Sequence, residues 1–502
     1  MEHKEIFERN TPEQQMLNSS YIIQFLELIE KYQVNLHSIL LFRNNKMIFD
    51  GYYKPFNENT LHRMFSITKS FVSAGIGILN GKGLIDLDDH IIKYFPEYQG
   101  DDVDDFVKQA TIKDLLQMKS PHEKTAFKQI DDDDYVKSFF KLKSTKVPGT
   151  VFSYDTSASH TLCALIEKIS GKSLIDFLRD EFLTEAGFSK NAYCLKDPKG
   201  RSLGGSGLMA YPIDVAIFAH VFLNNGKIFD RQVIPLEYIK EATKKQADTF
   251  VKGANREEKQ GYGYQFWRVS NNGYMCYGMA GQLAIILPKF NFVMVTTADT
   301  LEMQNGVQVI FDIFWETIYK GLLDRCINYR KDDFNRLMKI KEKLEIKPIE
   351  SFLENKDNFM SLISNKKNFA ILENEYGLRN LEISILDSKE GNIAFDSPKG
   401  HFKIDFGIGR QVEGIFPYYK HRYIASGGFF SGNMLIIKCH VIGEEIGTIY
   451  IQIELKGYGD GISGVMLTKK NVGCGFGEFS HTYFINWGLS KPFKTLRLRL
   501  KL

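Results

Sequence analysis

The sequence predicts an α+β fold in two parts: a region of mixed helices and antiparallel strands, followed by an all-β, barrel-like domain. In residues 1–323, helical periodicity alternates with strand-like runs, and the runs at 283–287 and 292–297 resemble neighbouring antiparallel strands. From residue 351 to 502, short alternating runs recur between Gly, Asn and Asp turns, a pattern typical of a small barrel or sandwich. A charged helical linker is expected at residues 324–350.

The elements of the first part follow from the spacing of apolar residues. Residues 19–33 carry the apolar stripe of an amphipathic helix. Strand-like runs at 37–42 and 47–52 flank Asn44 and Asn45, which predicts a hairpin with a tight turn. Residues 64–69 are predicted to open an apolar helix that ends at Gly81 and Gly83. Further helices are predicted at residues 111–118, 158–169, 174–182, 212–223 and 307–322.

The second part has evenly separated strand patterns and no recognisable chemistry. Apolar and polar residues alternate, so that one face of each strand is apolar, as in a barrel with a packed interior. We expect this domain to shape access to a cleft in the first part or to form contacts in a homo-oligomer. The predicted strands are 381–386, 401–406, 434–440, 448–455 and 464–469.

Composition excludes several classes of function. The 502 residues are 43% hydrophobic and 25% charged, which is typical of a globular protein. A net charge of +3 gives no sign of nucleic-acid or membrane-surface binding. The six cysteines are scattered, without the spacing of a zinc site or a disulfide framework. No leader-like or membrane-length apolar stretch is present, so we expect a cytoplasmic protein.

One Ser-x-x-Lys motif stands out from the rest of the chain. The pattern occurs three times, starting at Ser66, Ser138 and Ser364, and that number is close to chance at this length. Only Ser66, with Lys69, leads into a long apolar helix, whereas the other two lie in charged or polar stretches. A serine at a helix start is often just an N-cap. The context favours a chemical role for Ser66.

The spacing of Ser66 and Lys69 suits nucleophilic catalysis. Residues three apart on a helix share a face, so the lysine amine can reach the serine hydroxyl. Serine needs a neighbouring base to become a nucleophile, and a buried lysine can be that base because burial disfavours its charged form. The helix N-terminus also favours the negative charge that develops on an attacked carbonyl oxygen.

With this motif in place, residues 10–322 resemble the serine β-lactamase-like hydrolases. That family includes class C β-lactamases, D-Ala-D-Ala carboxypeptidases, esterases and 6-aminohexanoate-dimer hydrolase. The resemblance implies a β-lactamase/transpeptidase-like fold, an antiparallel sheet flanked by helices with a helical subdomain, and a site in the cleft between the sheet and the subdomain. Residues 351–502 resemble the lipocalin-like β-domains that follow some of these hydrolases. The segments that carry the first resemblance are residues 61–71, 111–118, 148–154 and 261–267.

The resemblance assigns a role to a tyrosine motif after a Pro-Gly turn. The family has Tyr-x-Asn or Tyr-x-Ser, and this chain has Tyr154 followed two residues later by Thr156. By resemblance, Tyr154 moves protons between the nucleophile and the leaving group. Thr156 replaces the usual amide or hydroxyl residue and can still hydrogen-bond substrate.

The third family motif departs further from the pattern. The family usually has Lys-Thr-Gly or His-x-Gly on the strand beside the site, whereas here Met279 stands at the position of the cation and Gly281 is kept. A cation there would bind a substrate carboxylate, so its absence favours an uncharged ester or amide. By resemblance, the backbone N–H groups of Ser66 and Gln282 form the oxyanion hole.

The sequence therefore predicts a serine hydrolase that cleaves an ester, an amide or a short peptide through a Ser66 acyl-enzyme, without a metal or organic cofactor. Two alternatives stay open: a non-catalytic binding or sensor protein of the same fold, and a β-lactamase or D-Ala-D-Ala-type peptidase. The chain contains neither the Gly-x-Ser-x-Gly elbow of α/β-hydrolases nor a His-Glu-x-x-His zinc motif.

Overall fold

The chain divides into two compact units, Met1–Glu345 and Ile346–Leu502. The computed structural model describes residues 6–250, 253–327, 330–352, 354–363, 368–386, 389–417, 419–458, 461–470 and 482–487. Helices and sheets are mixed in the first unit and the second is almost entirely β, so the predicted α+β class is confirmed. The domain boundaries at residues 323 and 351 stay a prediction.

The first unit is built on a six-stranded antiparallel sheet. The strands lie in the order β2-β1-β11-β10-β9-β8, with β9 near one edge. A small separate sheet has the order β3-β5-β4, and its strand β3 directly precedes the segment that contains Ser66. The strands of this unit are β1 (Leu36–Arg43), β2 (Lys46–Tyr52), β3 (His62–Arg63), β4 (Tyr193–Cys194), β5 (Leu208–Ala210), β6 (Lys227–Ile228), β7 (Arg231–Gln232), β8 (Trp267–Arg268), β9 (Tyr274–Gly278), β10 (Gln282–Leu287) and β11 (Phe292–Ala298).

Helices cover the sheet and form a helical subdomain. The helices are α1 (Ser19–Lys31), α2 (Ile67–Gly81), α3 (Asp105–Gln109), α4 (Ile112–Leu116), α5 (Tyr135–Lys141), α6 (Thr156–Ser170), α7 (Leu174–Leu178), α8 (Pro212–Leu223), α9 (Leu236–Thr243), α10 (Gln308–Glu316), α11 (Ile318–Leu323) and α12 (Lys331–Glu342). The terminal helices α1, α10 and α11 contact one another, and α8 packs on β1, β10 and β11. In the subdomain α6 contacts α2, α4, α5 and α7, while α2 also reaches β9. Every helix in the described part of the chain is too short or too polar to span a bilayer.

Most sequence-predicted elements of this unit are confirmed, with one clear exception. Strands β1 and β2 form the predicted hairpin, and β10 and β11 pair antiparallel as expected. The single helix predicted at 307–322 is wrong because two helices, α10 and α11, are separated at Thr317. The backbone of Thr317 is not helical, with φ −119° and ψ −88°, and its hydroxyl donates to the Ile313 carbonyl at 2.6 Å.

The second unit is a closed barrel. Nine strands follow one another in the order β15-β14-β13-β12-β21-β20-β19-β18-β17, and β15 pairs in parallel with β17 to close the ring. Strand β16 pairs antiparallel with the first four residues of β17, 422–425. The elements are α13 (Glu354–Ile363), β12 (Asn368–Ile371), β13 (Arg379–Ile385), β14 (Glu390–Ser397), β15 (Gly400–Ile408), β16 (Val412–Ile415), β17 (Arg422–Ser431), β18 (Met434–Ile442), β19 (Gly447–Tyr458), β20 (Gly461–Lys470) and β21 (Thr482–Trp487).

An apolar core fills this barrel, as its alternating sequence predicts. Along β19, Ile449, Ile451 and Ile453 are buried in one cluster, because every second side chain of a strand faces the same side. Phe359 and Ile363 of α13 join the same cluster. The five predicted strands correspond to β13, β15, β18, β19 and β20, so the barrel-like prediction is confirmed.

Candidate active site

Ser66 lies at the start of α2 in a strained turn. Phe65, immediately before it, has φ +45°, a left-handed conformation that is unusual for a bulky residue and recurs at functional sites. Ser66 occupies the N-cap position, yet its side chain makes no capping hydrogen bond. Instead, the Lys69 amine lies 3.1 Å from the Ser66 hydroxyl. The simple N-cap interpretation therefore does not account for this serine.

Lys69 is buried and held by neutral groups. Only 1% of its surface is exposed, and its amine also donates to the Gly205 carbonyl at 2.6 Å. Burial lowers the pKa of Lys69 from 10.5 to about 7, because the charged form loses its hydration. The charge of Asp155 acts against this lowering of the pKa, and that of Lys128 adds to it. A substantial fraction of Lys69 is therefore a neutral amine near pH 7.

The ring of Tyr154 reaches the same place from a different part of the chain. Tyr154 precedes α6, and its ring centroid lies 5.0 Å from the Lys69 amine. Burial raises the pKa of Tyr154 well above its usual value, and the nearby Ser66 hydroxyl offsets part of that rise. Contacts between catalytic groups often tighten when substrate binds. Tyr154 is therefore a neutral phenol that can donate a proton.

Aromatic side chains form a wall beside Tyr154. The rings of Trp267 and Tyr262 lie 5.4 and 6.2 Å from that of Tyr154. The ring of Tyr277 lies 5.8 Å from that of Trp267, and its hydroxyl donates to the Glu258 carboxylate at 2.7 Å. The wall thus ends in an acidic side chain.

The β9–β10 turn contains the predicted third motif. Gly278, at the end of β9, lies so close to the nucleophile segment that a Cβ would be 2.3 Å from the Met64 carbonyl oxygen. Met279 follows and is half-buried. At Gly281, φ is +97°, and a Cβ there would meet Ala298 at 2.9 Å. The absence of a side chain at Gly281 therefore serves the turn and its packing on β11.

Gln282 begins β10 directly opposite Gly278. Its side chain is buried and donates to the carbonyls of Met279 at 3.0 Å and Ala298 at 2.7 Å. These bonds fix the turn beside the nucleophile segment. The role predicted for the Gln282 backbone N–H in the oxyanion hole stays a prediction.

Thr156 is the first residue of α6 and is half-buried. Its backbone N–H donates to the Thr125 hydroxyl at 3.3 Å. A Cβ at Gly205 would lie only 2.2 Å from the Thr156 methyl group. Thr156 therefore lies against the loop that binds Lys69, and its predicted hydrogen bond to substrate is not tested by this arrangement.

Two residues that position the site were missed by the sequence analysis. The Gly205 carbonyl binds Lys69, and the run of glycines at 204–207 was the only signal that the backbone approaches something closely there. Asp155 is buried, accepting hydrogen bonds from Ser157 and, at 2.8 Å, from Ser120. Its position between Tyr154 and Thr156 gave no indication of that burial. Among the described residues, no group of His, Cys, Asp and Glu is arranged to hold a metal ion.

Comparison with known families agrees with this geometry. A sequence model of the Beta-lactamase family matches residues 24–308, more than half of the chain. The chain belongs to the β-lactamase family. The matched region contains Ser66, Lys69, Tyr154 and the β9–β10 turn. A comparison with curated proteins gives no match.

Solved structures of β-lactamase-like proteins share the fold. A Bacteroides dorei protein assigned as a β-lactamase is 18% identical, with a TM-score of 0.51 over 60% of this chain and 98% of that one. The hydrolase EstCE1, described as having promiscuous acyltransferase activity, is 13% identical, with a TM-score of 0.50 over 59% and 98%. A Bacillus anthracis protein assigned as a 6-aminohexanoate-dimer hydrolase is 23% identical, with a TM-score of 0.49 over 62% and 82%. At these identities the first two similarities concern the fold alone, and the third lies below a TM-score of 0.5.

The lowered pKa of Lys69 predicts the pH dependence of any Ser66-dependent reaction. The neutral amine is the base, and its fraction rises as pH increases through about 7. We expect kcat/KM to rise about tenfold per pH unit below pH 7 and to level off above it. A profile that keeps rising to pH 10 would mean that burial does not lower the pKa of this lysine.

Lys128 provides a test of the sign of this effect. Its exposed positive charge lowers the pKa of Lys69, so Lys128→Gln should move the acid limb of the profile to higher pH by about 0.2–0.5 unit. The shift should shrink in 1 M salt because the charge is screened. Lys124→Gln, an exposed lysine of the same segment, is the matched control and should leave the limb unchanged.

Gly205→Ala tests the positioning of the Lys69 amine. The new methyl group would lie 2.2 Å from the Thr156 methyl and 3.4 Å from the Lys69 amine, so the Gly205 carbonyl must shift. We expect kcat/KM to fall about 100-fold. Gly75→Ala places a methyl group 2.6 Å from Ile166, between α2 and α6. This control variant should lose about as much stability as Gly205→Ala yet keep the activity of the folded protein. Wild-type kcat/KM for Gly205→Ala would contradict the role of this carbonyl.

Proposed function

We propose that the protein is a serine hydrolase that cleaves a carboxylic ester or amide through an acyl-enzyme on Ser66. The observation that carries the proposal is the 3.1 Å contact between the Ser66 hydroxyl and the amine of Lys69, a buried lysine whose pKa falls to about 7. A neutral amine at this distance can accept the hydroxyl proton, whereas an ammonium cannot.

Acylation begins when the Ser66 oxygen attacks the substrate carbonyl and its proton passes to Lys69. The carbonyl oxygen becomes negative, and the N–H groups of Ser66 and Gln282 are proposed to bind it. The N–H groups of Ile67 and Thr68 are engaged with carbonyls of the same turn. Collapse of the intermediate expels the alcohol or amine, which takes a proton from the Tyr154 hydroxyl, and Tyr154 regains one from the Lys69 ammonium.

Deacylation repeats these transfers with water as the nucleophile. Lys69, neutral again, receives a proton from the attacking water, either directly or through Tyr154. The Ser66 oxygen leaves with a proton returned from the ammonium, and the carboxylic acid is released. Each proton taken up by Lys69 is given back within the cycle, so no metal or organic cofactor is required.

The half-buried thioether of Met279 supports a substrate without a carboxylate. Penicillins and D-Ala-D-Ala peptides carry a carboxylate that a cation at this position would bind, and a thioether offers neither charge nor a strong hydrogen bond. We therefore propose an esterase or amidase rather than a β-lactamase or a carboxypeptidase. The cytoplasmic location and a homo-oligomeric state stay predictions of the sequence.

The departures at Met279 and Thr156 also define a second hypothesis, a non-catalytic binding or sensor protein. Such a protein has no need to keep a buried lysine against a serine, because burial of an amine costs stability. Turnover of a p-nitrophenyl ester distinguishes the two hypotheses. The catalytic proposal requires that Lys69→Ala lower this turnover by about 10³-fold or more.

The nucleophile is tested by covalent labelling. Wild-type protein should react with a fluorophosphonate probe at Ser66, as identified by peptide mass spectrometry, and Ser66→Ala should lose both the label and ester turnover. Ser138→Ala is the matched control, because Ser138 opens another Ser-x-x-Lys sequence on α5 but donates to the Asp134 carbonyl at 3.0 Å. Labelling that persists in folded Ser66→Ala would exclude Ser66 as the nucleophile.

A further inference from the structure

A negative charge lies beside the end of β9, where the aromatic wall ends. Tyr277 lies near the end of β9 and Met279 follows that strand in the β9–β10 turn, on either side of Gly278, which lies against the Met64 carbonyl. Both Tyr277 and Met279 are half-buried. This stretch thus has a thioether where the family resemblance predicts a cation and, two residues before it, a tyrosine that binds a carboxylate.

Glu258 is held in place by hydrogen bonds and has no cationic partner among the residues that the structure describes. One carboxylate oxygen accepts the Tyr277 hydroxyl at 2.7 Å, and the other accepts the backbone N–H of Asn255 at 2.9 Å. Its own N–H donates to the Asn255 side chain at 2.9 Å. Across the described residues, no lysine or arginine forms an ion pair with Glu258, although Glu257, Glu241 and Asp248 nearby each have one.

The carboxylate of Glu258 is also close enough to the reaction centre to matter there. Tyr154, Trp267 and Tyr277 form a continuous row of rings, with centroids 5.4 and 5.8 Å apart. The charge of Glu258 acts on Tyr154, raising the pKa of its phenol. This row of rings therefore joins the phenol beside Lys69 to the acid.

We propose that Glu258 binds an ammonium group of the substrate, so that the site takes an ester or amide bearing a free amine. The inference rests on the proposed hydrolase function and names its substrate class. It replaces the expectation of an uncharged substrate: Met279, at the position of the cation in relatives, is here two residues from a tyrosine that binds a carboxylate. The Tyr277 hydroxyl and the Asn255 N–H orient the carboxylate, leaving its remaining lone pairs for the ammonium.

Other charges around the site define the competing outcome. Lys69 is largely neutral when it acts as the base, but Lys128 is an exposed cation whose field reaches Lys69. Lys128 lies on the segment bound to the start of α6, where the Ala126 N–H donates to the Ser157 hydroxyl at 3.0 Å. An anionic group of a substrate would be attracted toward Lys128, and an ammonium group would be attracted toward Glu258.

The test uses acyl p-nitroanilides and the matching ethyl esters in three series. The acyl chain has two to six carbons and ends in an ammonium, in a methyl group of the same size, or in a carboxylate. At the best chain length, we expect kcat/KM for the ammonium compound to exceed that of the methyl compound at least tenfold, as for a charge-assisted hydrogen bond. The carboxylate compound should be the poorest substrate.

Variants assign the preference to one side chain. Glu258→Gln should reduce the ammonium-to-methyl ratio to about twofold or less, because it keeps the shape and the hydrogen bond but removes the charge. Asp248→Asn, which removes an exposed acid from the same segment, should keep the wild-type ratio. A ratio unchanged in Glu258→Gln would overturn the assignment.

The outcomes separate this inference from the function on which it rests. Equal or faster turnover of the methyl or carboxylate compounds would overturn the inference and leave the hydrolase proposal standing. Fluorophosphonate labelling of Ser66 without turnover of any compound would overturn the proposed substrate class and leave Ser66 as the nucleophile. Loss of both labelling and turnover would overturn the hydrolase proposal, and the inference with it.

Discussion

The site depends on keeping the amine of Lys69 out of water. In water this group would be an ammonium at neutral pH, and it becomes a usable base only because burial makes the charged form costly. The groups that the amine contacts are uncharged: a hydroxyl, a backbone carbonyl and the face of a phenol ring. Asp155 is nearby, but its carboxylate accepts hydrogen bonds from Ser120 and Ser157. A carboxylate bonded directly to the amine would restore its charge.

The fold was predictable where local periodicity decides the structure. The β1–β2 hairpin and α8 were placed from the sequence within one or two residues, because spacing of apolar side chains determines such elements. The break at Thr317 was not predictable, since its hydroxyl bond to the helix backbone and its non-helical dihedral angles leave the apolar stripe intact. Strand β17 was also missed, because Gly427 and Gly428 interrupt its alternation of apolar and polar side chains. In the folded barrel the ring of Phe406 fills the space beside Gly427.

The site was predictable to the extent that its contacts are local or shared with relatives. The approach of Lys69 to Ser66 follows from helical spacing, whereas the convergence of Tyr154 was inferred by resemblance alone. The Gly205 carbonyl is 136 residues from Lys69 along the chain, and no local pattern reports such a contact. Glu258 was hidden for the same reason, because only the folding of its loop onto β9 brings it to Tyr277. Both contacts join residues that lie apart in the sequence, so they become visible only in the folded chain.

The most direct test of this account is the pKa of Lys69 itself. NMR titration of protein labelled with ¹³C and ¹⁵N at lysine, with the Lys69 signal assigned by its loss in Lys69→Arg, measures that pKa without any substrate. The account predicts a midpoint near 7, well separated from the exposed lysines. A midpoint near 10 would show that Lys69 remains an ammonium at neutral pH, and it could then not deprotonate Ser66.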